Sequence, residues 1–111
     1  MLTWNVEVLS RPQSIDADAV EFVALFAAEM SRSAERFLAA SAKEDVSEPL
    51  RLCRRMRGAA AVYGFSSFAE RLWSVEILIQ AGEMRPSAVA DEIMLVANRI
   101  GRFARESVNE R

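Results

Sequence analysis

The chain has 111 residues, 51% hydrophobic and 27% charged, with 14 basic against 16 acidic side chains, which is the makeup of one ordinary globular domain. A net charge of −2 excludes general nucleic-acid binding, which leans on a basic surface, and no apolar run reaches the roughly 20 residues a membrane-spanning helix needs. A single cysteine and the lack of a charged-then-apolar leader point to a reducing cytoplasm.

Residues 1–13 are ambiguous. Leu2, Trp4, Val6 and Val8 alternate as a strand would, whereas Leu2, Val6 and Leu9 share a helix face. Pro12 ends whichever element forms. Ile15 as a staple and Asp16 as a cap then open a helix that carries Val20, Val23, Ala27, Met30, Ala34, Phe37 and Leu38 on one stripe to about Ala42. After a polar loop, Ser47, Glu48 and Pro49 predict a helix over 48–63, since proline is tolerated in a first turn. Gly64 breaks that run. Ser67 and Glu70 have capping-box spacing, which predicts a helix over 67–80 with the stripe Phe68, Leu72, Val75, Ile79. Ala81 and Gly82 stop it, Pro86 confines the next start, and Val89, Ile93, Val96, Ile100 and Phe103 mark a last helix over 87–108. The pairs Asp16/Asp18 and Asp91/Glu92 belong to first turns, where negative side chains meet the positive end of the helix dipole, so no metal site is expected at them.

Four helices joined by links this short place sequential neighbours antiparallel. The expected fold is all-α: one domain over 1–111, an up-down-up-down four-helix bundle over 16–108, with 1–15 as a short N-terminal segment capping one end and sheltering Trp4.

On a wheel of the third helix, with Arg54 at zero, Leu52, Met56, Ala59, Ala60 and Tyr63 fall between about 140° and 240°, with Cys53 near 260°. That side is core. The other side carries Arg51, Arg54, Arg55 and Arg57 over the small residues Gly58 and Ala61, so four of the chain's 13 arginines occupy seven consecutive residues. Gly58 costs about 1 kcal/mol relative to alanine inside a helix and leaves room beside Arg54, which suits a surface that receives another molecule. The bland alternative is a solvated face with an incidental glycine.

The run Arg54-Arg55-Met56-Arg57-Gly58-Ala59-Ala60-Ala61-Val62-Tyr63-Gly64-Phe65 resembles the signature helix of histidine phosphotransfer domains. These read His-x-Leu-Lys-Gly, then small residues, then a second glycine. Arg57 matches the lysine, Gly58 the first glycine, Met56 the leucine and Gly64 the later glycine; Leu72 and Glu76 resemble the family's next helix, and the Gly82 turn fits as well. The likeness spans about Asp16 to Val108. Arg54 stands where the family keeps its phosphate-accepting histidine, and the chain has no histidine at all.

A guanidinium stays protonated and has no free lone pair to attack phosphorus, so Arg54 cannot carry the phosphate. Without histidine there is no imidazole base, no Ser-His or Cys-His pair, and, with one cysteine, no thiolate or imidazole zinc site. Cys53 points to the core, where a thiol is inert. No catalytic residue, metal, cofactor or small-molecule substrate is therefore expected.

What the resemblance leaves is a binding surface. It implies docking on a response-regulator receiver domain or a histidine kinase in a two-component phosphorelay, without phosphate transfer. Arg54 and Arg57 would pair with the acidic phosphorylation pocket through forked hydrogen bonds, beside Gly58 and Ala61, with Arg51 and Arg55 as rim. The alternative is a structural or self-associating bundle whose arginine face meets Glu21, Glu29, Glu70 or Glu76 of another copy. Recognition of a phosphorylated metabolite or nucleic acid lacks interleaved aromatics and a glycine-rich loop. Trp73 and Ile77 are expected to complete the core, and Phe22 and Leu25 raise the same question.

Overall fold

The computed structural model describes residues 4–10 and 20–109, with side chains over 4–10 and 24–106. Every regular element among them is helical: α1 (Val6–Leu9), α2 (Val20–Ala40), α3 (Ser47–Val62), α4 (Ser66–Gln80) and α5 (Ala90–Asn109), with a 3-10 turn at Pro86–Ala88 before α5. The expected cap at Ile15 and Asp16, the stop at Pro12 and the pair Asp16/Asp18 lie outside the described residues. So do the side chains of Val20, Glu21, Phe22 and Val23.

Within the ambiguous N-terminal stretch, Val6–Leu9 form a single helical turn. Asn5 caps it by accepting from the Val8 N–H at 3.2 Å, and the Ser10 hydroxyl donates to the Val6 carbonyl at 2.7 Å. This turn lies against α4 and α5, burying Leu9 and Trp4. The Trp4 Nε1 is buried without a hydrogen-bond partner among the described residues, and the Arg71 guanidinium lies 5.6 Å from its ring centre.

Two glycines end their helices for the anticipated reason. Gly64 (φ 86°) and Gly82 (φ 76°) adopt the left-handed conformation, and the residues after them close Schellman bonds, Phe65 N–H to Ala60 O at 2.8 Å and Glu83 N–H to Leu78 O at 2.9 Å. Two starts differ from the sequence pattern. α4 begins at Ser66, with Phe65 at the cap and no side-chain cap bond, so Ser67 is not the cap. Packing decides this: Phe65 is fully buried and stacks on Phe26 at 5.1 Å. Ser87 lies in the 3-10 turn, not in α5, because Pro86 is buried there and Val89 packs into the core ahead of the first α-helical residue.

The long helices close over one core. α2 packs on α5 and on α3, and α3 packs on α4. Ala27, Met30, Ala34 and Phe37 of α2, Leu52, Cys53, Met56 and Ala60 of α3, Phe68, Leu72, Val75 and Ile79 of α4, and Ile93, Val96 and Ile100 of α5 form a single buried cluster. Leu38 leaves its predicted stripe and is 42% exposed. Aromatic contacts tie α2 and α5 to the turn between α3 and α4, since Phe26 stacks on Tyr63 at 4.7 Å and Phe65 meets Phe103 edge-on at 6.5 Å. No helix among the described residues is long and apolar enough to cross a membrane.

Candidate functional site: the arginine face of the third helix

The start of α3 is fixed by Asp45, whose carboxylate accepts from the Ser47 N–H at 2.9 Å and from its hydroxyl at 2.7 Å. Those two bonds lower the Asp45 pKa. One turn on, Glu48 accepts a forked pair from Arg51, Nε at 2.8 Å and Nη2 at 2.5 Å, which lowers the glutamate pKa and raises that of the arginine.

As the wheel requires, Leu52, Cys53, Met56 and Ala60 are buried, while Arg51, Arg54, Arg55, Gly58 and Ala61 are exposed and Arg57 is half-buried. The arginines are nonetheless not free. Arg54 Nε donates to Glu76 Oε1 at 2.7 Å and Arg57 Nε donates to Glu76 Oε2 at 3.1 Å, so one carboxylate of α4 receives two guanidinium groups of α3. The Glu76 side chain is 9% exposed, against 49% for Arg54 and 32% for Arg57. A carboxylate in that position requires cationic partners, because desolvating an unpaired charge is costly. Arg55 turns the other way and pairs with Glu29 of α2, which also lies 3.9 Å from Arg32. Of the six residues singled out in the sequence, Arg54 and Arg57 therefore converge, whereas Arg51 stays on its own helix and Arg55 braces a different neighbour.

Beyond this ion triplet the surface is apolar. The Arg57 guanidinium lies 4.6 Å from the Trp73 ring centre, a cation–π contact. Trp73 and Ile77 do not complete the core; each is 50% exposed. The buried arc of α4 is already filled by Phe68, Ala69, Leu72, Val75, Glu76 and Ile79, which leaves this stripe outside. Val62 on α3 is 80% exposed and Leu25 on α2 is 69% exposed. A Cβ at Gly58 would meet nothing within 4 Å, so the notch beside Arg54 is open.

Cys53 is fully buried and donates its S–H to the Leu72 carbonyl at 3.2 Å. Burial, reinforced by the negative charge of Glu76, pushes its thiol up to about 12. It cannot stand in as a nucleophile at neutral pH. Among the described residues no group of histidine, cysteine, aspartate or glutamate side chains is arranged to hold a metal ion.

Two residues central to this geometry, Glu76 and Glu29, were expected from the sequence only as partners in another copy, whereas both pair with arginines of the same chain. Glu76 carried a signal: on the α4 wheel it sits about 40° from Leu72, inside the apolar stripe, where a carboxylate needs a cation. Glu29 carried none, since its contact with Arg55 crosses between helices at a separation of 26 residues. Comparison with protein-family models, with curated proteins and with solved structures finds no match to this chain.

Proposed function

We propose that this chain is a histidine-less relative of the histidine phosphotransfer domains, a single up-down-up-down bundle working in the cytoplasm, that docks a receiver domain or histidine kinase without carrying phosphate. The observation that carries this reading is the half-exposed guanidinium of Arg54 at the place of the phosphate-accepting histidine, next to an unfilled notch at Gly58. Arg54 and Arg57 each donate Nε to Glu76, and on this reading their Nη groups are the donors that meet a partner's acidic pocket. Trp73, Ile77 and Val62 supply apolar area beside them, and tryptophan and arginine are the residue types that most often anchor interfaces. The antiparallel order of α3 and α4 is supported by their link, since only the three residues 63–65 join Val62 to Ser66 and so short a connection cannot carry the chain back along a helix.

The test is binding of the purified chain to a panel of receiver domains and kinase dimerisation domains. Saturable binding to one of them, lost in Arg54→Glu with the helical fold intact, supports the reading; no binding to any removes it. A second arm uses Arg54→His, which on this reading accepts an acid-labile phosphoryl label from a phosphorylated receiver while the wild type does not. Self-association through the α3 arginine face is disfavoured, because Glu29 and Glu76, two of its four candidate carboxylates, already neutralise arginines of the same chain.

A further inference from the structure

A second surface, on the side of the molecule formed by α2 and α5, has an arrangement of its own. A groove of about 430 Å³ runs between the two helices, floored by Ala24, Ala28 and Ser31 of α2 and by Gly101 and Ala104 of α5, with Arg105 on its rim. The floor is shallow because its residues are small, which lets another helix approach closely. On the α2 wheel Ala24, Ala28, Ser31, Glu35 and Leu38 fall within an arc of about 80°, and on the α5 wheel so do Asp91, Met94, Asn98, Gly101 and Arg105. The groove therefore continues as one face along both helices.

Two pairs of positions on that face, Leu38 with Ala24 and Asp91 with Arg105, are complementary to each other. Leu38 lies about two helical turns after Ser31 and Ala24 about two turns before it; Asp91 and Arg105 lie about two turns either side of Asn98. Leu38 is 42% exposed, Asp91 and Arg105 are exposed, and neither charge forms an ion pair with another described residue. A two-fold axis perpendicular to the helices sets α2 against α2 and α5 against α5 with their directions reversed. The groove sets Ala24 to Ser31 of α2 beside Gly101 to Arg105 of α5, which brings Ser31 within about one helical turn of the level of Asn98, and in the register centred there Leu38 of each copy meets the alanine floor at Ala24 of the other. The same register sets Asp91 of each copy against Arg105 of the other.

We propose that this α2–α5 face docks a second copy of the same chain in that antiparallel register. Two helices about 30 Å long and about 10 Å wide give a footprint on the order of 600 Å² per copy, less than the roughly 800 Å² of a standard stable interface, so the dimer is a weak one. It leaves the α3–α4 arginine face free.

Sedimentation velocity of the full chain from about 1 µM to about 500 µM tests this over the range expected of a small interface. The expected result is a mass rising from 12.4 kDa towards twice that value with concentration. Leu38→Asp holds the protein monomeric, and Asp91→Arg or Arg105→Asp alone weakens association about tenfold or more, while the two charge reversals combined recover most of it. All four are surface changes whose far-UV circular dichroism matches wild type. A constant monomer mass across the range overturns the proposal, and so does a dimer that Arg54→Glu dissolves and Asp91→Arg does not.

Discussion

The carboxylate of Glu76 lies beneath the guanidinium of Arg54, 2.7 Å from its Nε, with one partner shielded from water and the other half in it. Removing Glu76 costs more than removing Arg54 alone, because it ends both contacts at once whereas Arg57 keeps the shielded carboxylate paired when Arg54 is gone. Glu76→Ala leaves two guanidinium groups with no carboxylate, but both can turn towards solvent. The expected loss is about 1–3 kcal/mol, below the roughly 3–5 kcal/mol for breaking a fully buried pair. Arg54→Ala loses less, because Arg57 still serves Glu76. Urea unfolding of both variants checks the order, and equal stability of Glu76→Ala and wild type would show that the ion triplet contributes nothing.

Gly58 separates stability from docking. Nothing lies within 4 Å of where its Cβ would be, and the residue sits inside α3, so Gly58→Ala is expected to raise stability by about 1 kcal/mol. If a partner closes over the notch, the same methyl group weakens its binding. A higher thermal midpoint with unchanged affinity for a receiver that binds wild type would place the docking surface elsewhere.

The buried thiol makes stability fall at high pH. Cys53 has its pKa raised in the folded chain, from 9.0 to about 12, so its neutral form is favoured by folding. That contribution is complete below pH 9 and declines as pH rises towards 12, at up to about 1.4 kcal/mol per unit. In urea unfolding, the stability difference between wild type and Cys53→Ala should accordingly shrink between pH 9 and pH 11. In native protein at pH 8 the thiol should react with a disulfide reagent only at the rate of unfolding; rapid labelling would contradict its burial.

Trp4 carries a buried indole N–H that no described residue accepts. Trp4→Phe keeps the ring against Arg71 and discards the unpaired donor, so it should be neutral or stabilising within about 1 kcal/mol. Trp4→Ala empties the site and should cost about 3 kcal/mol. Thermal melts of the two variants decide this, and a large loss in Trp4→Phe would mean that the donor has an acceptor in solution.

The helices and their stops were legible because they depend on local rules. Apolar residues at helical spacing mark the buried faces of α3, α4 and α5, and Gly64 and Gly82 turn the chain where a left-handed residue is needed. Phe65 shows where local rules give way, since its burial sets the start of α4 one residue ahead of the Ser67 signal. In the site, the outward direction of Arg54 followed from the wheel alone. What occupies Arg54 did not, because Glu76 lies 22 residues away and the pairing exists only once α3 and α4 are side by side. Trp73 was misplaced for a related reason: stripe width estimates how much of a helix is covered, and here its neighbour covers it with an arginine instead of an apolar side chain.

The opposed pairings of α3, Arg55 to α2 on one flank and Arg54 with Arg57 to α4 on the other, hold that helix like a beam pinned at both edges. Arg54, Arg55 and Arg57 are thus already paired before any encounter, so association there forfeits less side-chain freedom than unpaired arginines would, and a small contact can still be selective.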